Sequence, residues 1–235
     1  MVEIKKLYKS FGPVDVLQGI NLSIEDKGII AILGPNGSGK TTLIKSILGM
    51  VIPQKGQILI DGKEVIGKWE YRNEISYLPQ IANFPQNIKV RELIDMIKNL
   101  RSETSLDEEL IQLFKLGPFL DKKLGNLSGG TRQKVNVVMT FMFDSPLIIL
   151  DEPTSGLDPV ALIYLKELIA KEKKKGKTIL ITTHIMNLVE EIADRVIFLL
   201  DGNIYFDGTV GMLKQQTQQS NLEHAIAEIL KGTYA

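Results

Sequence analysis

The most informative absences in this 235-residue sequence are cysteine and any long apolar segment. Without cysteine, the chain can form neither disulfides nor cysteine-ligated metal sites. Unbroken apolar runs such as Ile29–Leu33 are far shorter than the roughly twenty residues that a membrane-spanning helix needs. The chain is therefore not expected to cross a bilayer itself, and a role in a membrane process would require another protein to supply the membrane part.

An excess of charge of one sign is also missing. Lys and Arg number 28, and Asp and Glu number 28, so the formal net charge is zero. This balance does not indicate a nucleic-acid groove, and no nucleic-acid partner is expected. The first ten residues lack the apolar segment of a secretion signal. The absence of cysteine fits a reducing cytoplasm, and a cytoplasmic location is expected.

The apolar pattern predicts an α/β chain. The first thirty residues alternate loosely, as short antiparallel strands do, and Asp61-Gly62 is typical of a hairpin turn. The bounded apolar run from Gly28 to Gly34 predicts a buried strand. Residues from about 81 to 135 are predicted to form amphipathic helices. After Pro146, strand and helix patterns alternate, which predicts a parallel, doubly wound sheet with a helical insertion.

A glycine-rich loop follows the predicted buried strand and precedes a predicted helix. Glycines let consecutive backbone N–H groups point at phosphate oxygens, beside a helix N-terminus that favours anions. The pattern predicts that the Lys40 ammonium reaches the β and γ phosphates of a nucleotide, and that the Thr41 hydroxyl ligates Mg²⁺. The predicted ATP-binding residues of this loop are Gly34, Pro35, Asn36, Gly37, Ser38, Gly39, Lys40, Thr41 and Thr42.

A second candidate element is the apolar segment Leu147–Leu150, which is followed by two acids. At the carboxyl end of a strand beside a phosphate loop, Asp151 could hold Mg²⁺ through its water shell. Glu152 would then be placed to deprotonate the attacking water. Taken alone, the pattern is an ordinary strand-to-loop exit, and only its pairing with the phosphate loop favours the catalytic interpretation.

A third element is a serine and two glycines that open a predicted helix. Ser128 is a suitable N-cap, and the first turn of the helix would offer backbone N–H groups to an anion. Without other motifs, a well-capped helix would be the better interpretation. The residues of this element are Leu127, Ser128, Gly129, Gly130 and Thr131.

Together these motifs resemble the ATP-binding subunit of ABC transporters, over nearly the whole chain. The phosphate loop, Gln80, the LSGG signature at 127–130, the LIILDE segment, Asp158 and His184 stand in the order of that family. The resemblance implies a P-loop NTPase (RecA-like) core with an antiparallel β subdomain and an inserted α-helical subdomain. It implies an ABC ATPase domain over residues 1–215, with the insertion at about 81–135, and a C-terminal helical tail over 216–235.

The resemblance also implies a role for each matched residue. Phe11 would stack on adenine, although aromatic residues are more often part of a core. Gln80 would contact Mg²⁺ and the attacking water. His184 would bind the γ-phosphate and hold the geometry around Glu152. The signature residues 127–131 would contact the ATP held by the opposite subunit, and Asp158 would lie along the dimer seam.

The implied mechanism is a head-to-tail dimer that closes over two ATP molecules with Mg²⁺. The implied partners are a second ATPase subunit, expected to be an identical chain, and transmembrane permease subunits on the inner face of the cell membrane. The sequence LSGGTRQK is similar to the corresponding segment of ABC-2-type exporter ATPases, and this resemblance favours export. Thr131 departs from the glutamine usual in the family, and we expect it to alter dimer contacts more than chemistry.

Two other functions fit part of the sequence. A soluble ABC ATPase without a membrane partner is the main alternative, but repair types carry a long coiled-coil insertion and translation types two ATPase units. A P-loop kinase or GTPase would leave the LSGG segment and Asp158 unexplained. The charged run Lys171–Lys177 is expected to be a solvated helix end, without a binding role.

Overall fold

The computed structural model describes residues 2–25, 27–101 and 104–234. Contacts divide the chain into two units, which we call unit 1 (residues 2–72 with 178–234) and unit 2 (residues 73–177). The predicted insertion at about 81–135 lies within the sequence range of unit 2. Residues 102 and 103 of this insertion lie outside the described residues. Its bounds, and the boundary between 215 and 216, stay predictions.

The strands are β1 (Val2–Phe11), β2 (Val14–Ile24), β3 (Gly28–Leu33), β4 (Lys55–Ile60), β5 (Lys63–Glu64), β6 (Ile75–Leu78), β7 (Leu147–Asp151), β8 (Thr178–Thr182), β9 (Arg195–Leu200) and β10 (Asn203–Gly208). The helices are α1 (Lys40–Ile47), α2 (Val90–Leu100), α3 (Asp107–Leu113), α4 (Gly129–Phe141), α5 (Pro159–Lys174), α6 (Met186–Ile192), α7 (Val210–Thr217) and α8 (Leu222–Tyr234). Turns of 3₁₀ helix occur at Glu70–Glu74, Gly117–Phe119 and Leu124–Asn126. No helix within the described residues has the length and apolar character needed to span a bilayer.

Unit 1 contains an antiparallel sheet with the strand order β2-β1-β4-β5. The predicted hairpin turn joins β4 to β5, with φ of 48° at Asp61 and 74° at Gly62. Positive φ at both central residues is what a two-residue type I′ turn requires, and glycine adopts it without steric cost. The antiparallel strands predicted for the start of the chain are therefore confirmed.

A second set of strands in unit 1 has the order β10-β9-β3-β8. β3 is parallel to both β8 and β9, and each of its six residues is buried. An all-apolar strand suits this position because a parallel strand flanked on both sides has two faces to bury. β3 therefore gives the loop that follows it a fixed starting point.

The last strand of this set was not predicted. β10 runs antiparallel to β9, and Asp201 and Gly202 between them have φ of 45° and 74°. The Asp-Gly pair is a recognised hairpin signal, and it was present in the sequence. The helix after this strand, α7, was not predicted either.

Unit 2 contains β6 and β7, which are parallel, with Ile75 opposite Leu147 and Leu78 opposite Leu150. Between them in sequence lie α2, α3 and α4, where amphipathic helices were predicted. Helix α4 is anchored by a row of buried side chains, namely Val135, Val137, Val138 and Phe141. Its N-terminus, which carries the signature residues, is thus attached to a helix with a large buried face.

The expectation of a solvated helix end at Lys171–Lys177 is wrong for two of its residues. Glu172 and Lys177 are both buried and form an ion pair with each other. The Lys177 ammonium also lies 2.6 Å from a carboxylate oxygen of Asp144. Buried charges of opposite sign need such partners, because desolvation without one is costly.

The C-terminal segment forms α8, in the region where a final helix was predicted. Its apolar residues Leu222, Ala225, Ile226 and Ile229 are buried, while His224 is exposed as expected. The helix contacts α6 and α7 within unit 1. It is therefore packed against unit 1 along one face.

Candidate active site

The predicted phosphate loop lies between β3 and α1, in the strand–loop–helix setting that the sequence indicated. Within the loop, the Ser38 backbone N–H donates to the Pro35 carbonyl at 3.2 Å, which closes a tight turn. Helix α1 begins at Lys40 and is held by the buried side chains of Leu43 and Ile44. The loop thus leads directly into the N-terminus of α1, the end of a helix that favours anions.

Gly34 can only be glycine here. Its φ is 151°, and a Cβ at this position would collide with the Leu199 carbonyl and with the Ser38 hydroxyl. The close approach of two backbone segments explains the first glycine of the motif.

Two polar groups of this loop fit a bound phosphate. The Ser38 hydroxyl is buried and, among the described residues, has no hydrogen-bond partner. A buried hydroxyl without a partner costs about 1–3 kcal/mol, which a ligand acceptor would recover. The Lys40 ammonium donates to the loop carbonyls of Gly34 at 2.7 Å and Pro35 at 2.9 Å, so it is held over the loop itself.

Phe11, the predicted adenine-stacking residue, ends β1 and is 51% exposed. This exposure rules out the alternative of a core residue. The Lys9 ammonium lies 4.8 Å from the centre of the Phe11 ring, a distance typical of a cation–π contact.

His184 follows β8 and is exposed. The hydroxyl of the preceding residue, Thr183, accepts a hydrogen bond from the Ile185 backbone N–H at 3.1 Å, which shapes the turn. His184 also borders a cavity of about 340 Å³ that is lined from α8 by Ile226 and Leu230, among others.

Asp151 and Glu152, the predicted metal and catalytic carboxylates, lie at the carboxyl end of β7. Asp151 is 3% exposed, whereas Glu152 is half-buried and has φ of 50°. A left-handed conformation is unfavourable for a residue with a Cβ and recurs at functional sites. Burial, and to a lesser extent the Asp151 carboxylate, raises the pKa of Tyr77 to about 12.

Gln80 follows β6 by two residues and is exposed. The carbonyl of the preceding residue, Pro79, accepts a long hydrogen bond of 3.4 Å from the Asn136 amide on α4. The neighbouring Gln133 amide donates to the carbonyl of Pro153, directly after Glu152, at 3.3 Å. Sequence analysis missed both amides, although two amide side chains spaced by three, and so on one face of the predicted helix, were a signal for them.

The signature turn opens α4 as predicted, with Ser128 as its N-cap. The Ser128 hydroxyl accepts from the Thr131 backbone N–H at 3.2 Å and lies 2.9 Å from the Thr131 hydroxyl. A Cβ on Gly130 would lie 2.7 Å from the Gly156 carbonyl, so this position also requires glycine. The turn is therefore packed directly onto the loop that precedes Asp158.

Asp158, predicted for the dimer seam, has two partners within its own unit. Its carboxylate accepts from the Ala161 backbone N–H at 2.9 Å, which caps α5, and lies 2.6 Å from the Lys134 ammonium. The hydrogen bond from Lys134, followed by that from Ala161, holds the pKa of Asp158 below its usual value. Lys134 is a site neighbour that sequence analysis did not identify.

The predicted site residues thus form two groups, one in each unit. Unit 1 carries Phe11, the phosphate loop and His184, and unit 2 carries Gln80, the signature, the two acids after β7 and Asp158. A glycine loop between a buried parallel strand and a helix, with a buried hydroxyl and an ammonium suited to phosphate, defines a P-loop nucleotide-binding protein.

Comparison with known proteins identifies the family. Residues 17–155 match the ABC transporter family model. The lantibiotic transport ATP-binding protein SrtF of Streptococcus pyogenes is 31% identical over 95% of this chain and 94% of its own length. The Nod factor export ATP-binding protein I of Burkholderia lata is 32% identical over 88% of this chain and 70% of its own length.

Solved structures agree. The solved structure of the ATP-binding subunit of an ABC transporter superposes on this chain with a TM-score of 0.90 and is 29% identical in sequence. The match covers 98% of this chain and 99% of the solved chain. A dimeric ATP-binding cassette, solved after hydrolysis with ADP and phosphate, has a TM-score of 0.78 and 27% identity, covering 89% of this chain and 98% of its own.

The chain therefore belongs to the ABC transporter family, and the predicted fold class is confirmed. It is an ATP-binding ATPase of this family. The relatives named as transporter subunits confirm the transporter interpretation over the alternative of a soluble ABC ATPase.

Proposed function

We propose that this chain powers export by separate membrane-spanning subunits, through ATP-driven head-to-tail dimerisation. The observation that carries the proposal is the presence of two helix-opening turns of different character, the phosphate loop and the signature turn, each of a kind suited to bind an anion. Of the two, the phosphate loop alone contains a buried hydroxyl that has no hydrogen-bond partner among the described residues. A second turn of complementary chemistry is then available for the nucleotide of another subunit. We propose export as the direction of transport because one relative is named for lantibiotic transport and another for Nod factor export.

In this proposal the phosphate loop, residues 34–42, holds the ATP phosphates, and Phe11 stacks on the adenine. Bound Mg²⁺ would neutralise charge on the β and γ phosphates, held by Thr41, Asp151 and Gln80 together with nucleotide and water oxygens. Among the described residues no three His, Cys, Asp or Glu side chains cluster as a metal site, which suits an ion bound largely through phosphate and water.

Glu152 is proposed as the general base. Its carboxylate accepts a proton from the attacking water as the new oxygen–phosphorus bond forms, and the bond to the ADP oxygen breaks. His184 binds the γ-phosphate and orients this reaction, and Gln80 orients the water. The left-handed backbone of Glu152 supports this assignment, because strained backbone conformations of this kind cluster at active sites.

The signature residues 127–131 are proposed to contact the γ-phosphate bound by the second ATPase subunit, with Asp158 beside the seam. Closure with ATP and opening after hydrolysis would drive the membrane subunits. The chain would be held at the inner face of the cell membrane by those subunits. The second ATPase subunit is proposed to be an identical chain.

The decisive experiment compares Glu152→Gln with the unchanged chain by size-exclusion chromatography, with and without ATP, and by Mg²⁺-dependent ATPase assay. Loss of a general base should lower kcat by about 10²–10⁴-fold. The variant should accumulate as a dimer only with ATP, because it binds the nucleotide without turning it over. The exposed Glu167→Gln on α5 is a matched control that should behave as the unchanged chain does. A Glu152→Gln chain that stays monomeric and keeps normal turnover would contradict the proposal.

A further inference from the structure

The residue at which the signature departs from the usual family pattern contacts the signature serine. The Thr131 hydroxyl lies 2.9 Å from the Ser128 hydroxyl, and Thr131 is half-buried in the first turn of α4. From the sequence, this departure was expected to alter dimer contacts more than chemistry. The structure instead connects it to one particular hydroxyl group.

Counting hydrogen-bond capacity shows what this contact can do. A serine hydroxyl has one proton to donate and two lone pairs with which to accept. One lone pair of Ser128 is used by the Thr131 backbone N–H, at 3.2 Å. Within the residues that the structure describes, the Thr131 hydroxyl is the other hydrogen-bond partner of the Ser128 hydroxyl.

Either hydroxyl can donate to the other, and a bound phosphate would favour one of these two directions. A terminal phosphate oxygen in ATP accepts hydrogen bonds only. While the bond between the two hydroxyls is kept, Ser128 can donate its proton to the phosphate only if Thr131 donates to Ser128. Hydrogen bonds in such a chain polarise one another, so each strengthens the next.

We propose that Thr131 is a positioning residue that directs the Ser128 proton toward the γ-phosphate of the ATP bound by the second subunit. Both lone pairs of Ser128 are then filled from within the chain, and its single proton points outward. This inference rests on the proposed function, because it needs the signature to meet a nucleotide.

The contact is more than part of the helix cap. The cap uses the backbone N–H of Thr131, which any residue except proline would supply. The hydroxyl bond is additional and depends on the side chain. Threonine is also a poorer helix former than glutamine, so the residue is not explained by helix propensity.

The test measures ATP-dependent dimerisation by analytical ultracentrifugation, in chains that all carry Glu152→Gln. Thr131→Val keeps the shape and the backbone N–H but removes the hydroxyl, whereas Thr131→Ser keeps the hydroxyl. Thr217→Val is the matched control, since Thr217 is also half-buried in a helix and donates to the Leu213 carbonyl at 2.9 Å. Ser128→Ala and the Ser128→Ala, Thr131→Val double variant complete a thermodynamic cycle.

We expect Thr131→Val to raise the ATP concentration for half-maximal dimerisation about three- to tenfold, the range for loss of one hydrogen bond. Thr131→Ser and Thr217→Val should stay within about twofold of the unchanged signature. ATP binding to the monomer should be unaffected. In the Ser128→Ala background, Thr131→Val should add nothing, because Thr131 acts through that serine.

Three results would overturn the inference. One is dimerisation of Thr131→Val at the ATP concentration of the parent chain. Another is an effect of Thr131→Val that persists undiminished without the Ser128 hydroxyl, which would mean that Thr131 acts on the helix alone. The last is a parent chain that never dimerises with ATP, which overturns the proposed function along with the inference.

Discussion

The phosphate loop and the signature turn are both glycine-containing turns that open a helix, yet their polar groups are in different states. In the phosphate loop, the Ser38 hydroxyl is buried without a partner among the described residues. In the signature turn, the Ser128 hydroxyl is exposed and already bonded to Thr131. The phosphate loop therefore keeps an unsatisfied hydroxyl that a phosphate could bond, whereas the serine hydroxyl of the signature turn is satisfied within the chain.

The difference shows how two similar sequence patterns can serve one ligand in different ways. An unsatisfied buried donor favours binding from the outset, because the ligand removes a cost that the folded chain already carries. A satisfied, exposed donor contributes only when another molecule brings a phosphate to it. We expect the phosphate loop to determine whether ATP binds and the signature turn to determine whether the dimer closes.

The largest expected effect comes from Lys40→Ala. Removing the ammonium that the loop holds by two carbonyls should weaken ATP binding about 10²-fold or more, because a charge-assisted contact to phosphate is lost. Fluorescent-nucleotide titration of the monomer would measure this. Lys45→Ala, an exposed position near the end of the same helix, is the control and should bind normally. If Lys40→Ala binds ATP normally, the phosphate loop does not determine whether ATP binds, and the distinction between the two turns is wrong.

A smaller effect, confined to the signature, is expected for Gly130→Ala. Its Cβ would lie 2.7 Å from the Gly156 carbonyl, so the free energy of unfolding should fall by about 1–3 kcal/mol. At Gly129 a Cβ would meet nothing within 4 Å, and Gly129→Ala should change stability by about 0.5 kcal/mol or less. Chemical denaturation of the nucleotide-free chains would compare the two. Equal stabilities would show that the signature turn is looser than the structure indicates.

The smallest expected effect concerns the charge on Asp158. Its lowered pKa means that the charged, bonded form stabilises the fold fully above the ordinary pKa of about 4. That contribution is lost as the pH falls through the lowered pKa. Lys134→Gln should raise the pKa of Asp158 toward its ordinary value, while the cap on α5 keeps part of the shift.

An NMR titration of the Asp158 carboxyl carbon would measure this pKa, with the exposed Lys174→Gln as control. A pKa that does not change in Lys134→Gln would show that the pair does not persist in solution. The contact between the signature helix and α5 would then be weaker than the 2.6 Å separation indicates.

Sequence patterns predicted the elements whose conformation depends on residues close together in the chain. The buried run of β3 and the Asp61-Gly62 turn depend on neighbours in the chain, and both were found where expected. The pairing of Lys177 with Asp144 could not be predicted, because it joins residues whose proximity depends on packing. The strand β10 was missed for a different reason, since its Asp201-Gly202 signal was available but was not used.

For the candidate site, the sequence by itself determined the order of motifs and hence the family. That information is local, since each motif is a short run whose chemistry depends on residue type and spacing. Only the tertiary structure decided which groups are satisfied within the chain. It placed the Thr131 hydroxyl on Ser128, Lys134 on Asp158 and the Gly130 backbone against Gly156. These contacts depend on side-chain direction and on distances between segments, and no pattern of residue types specifies either.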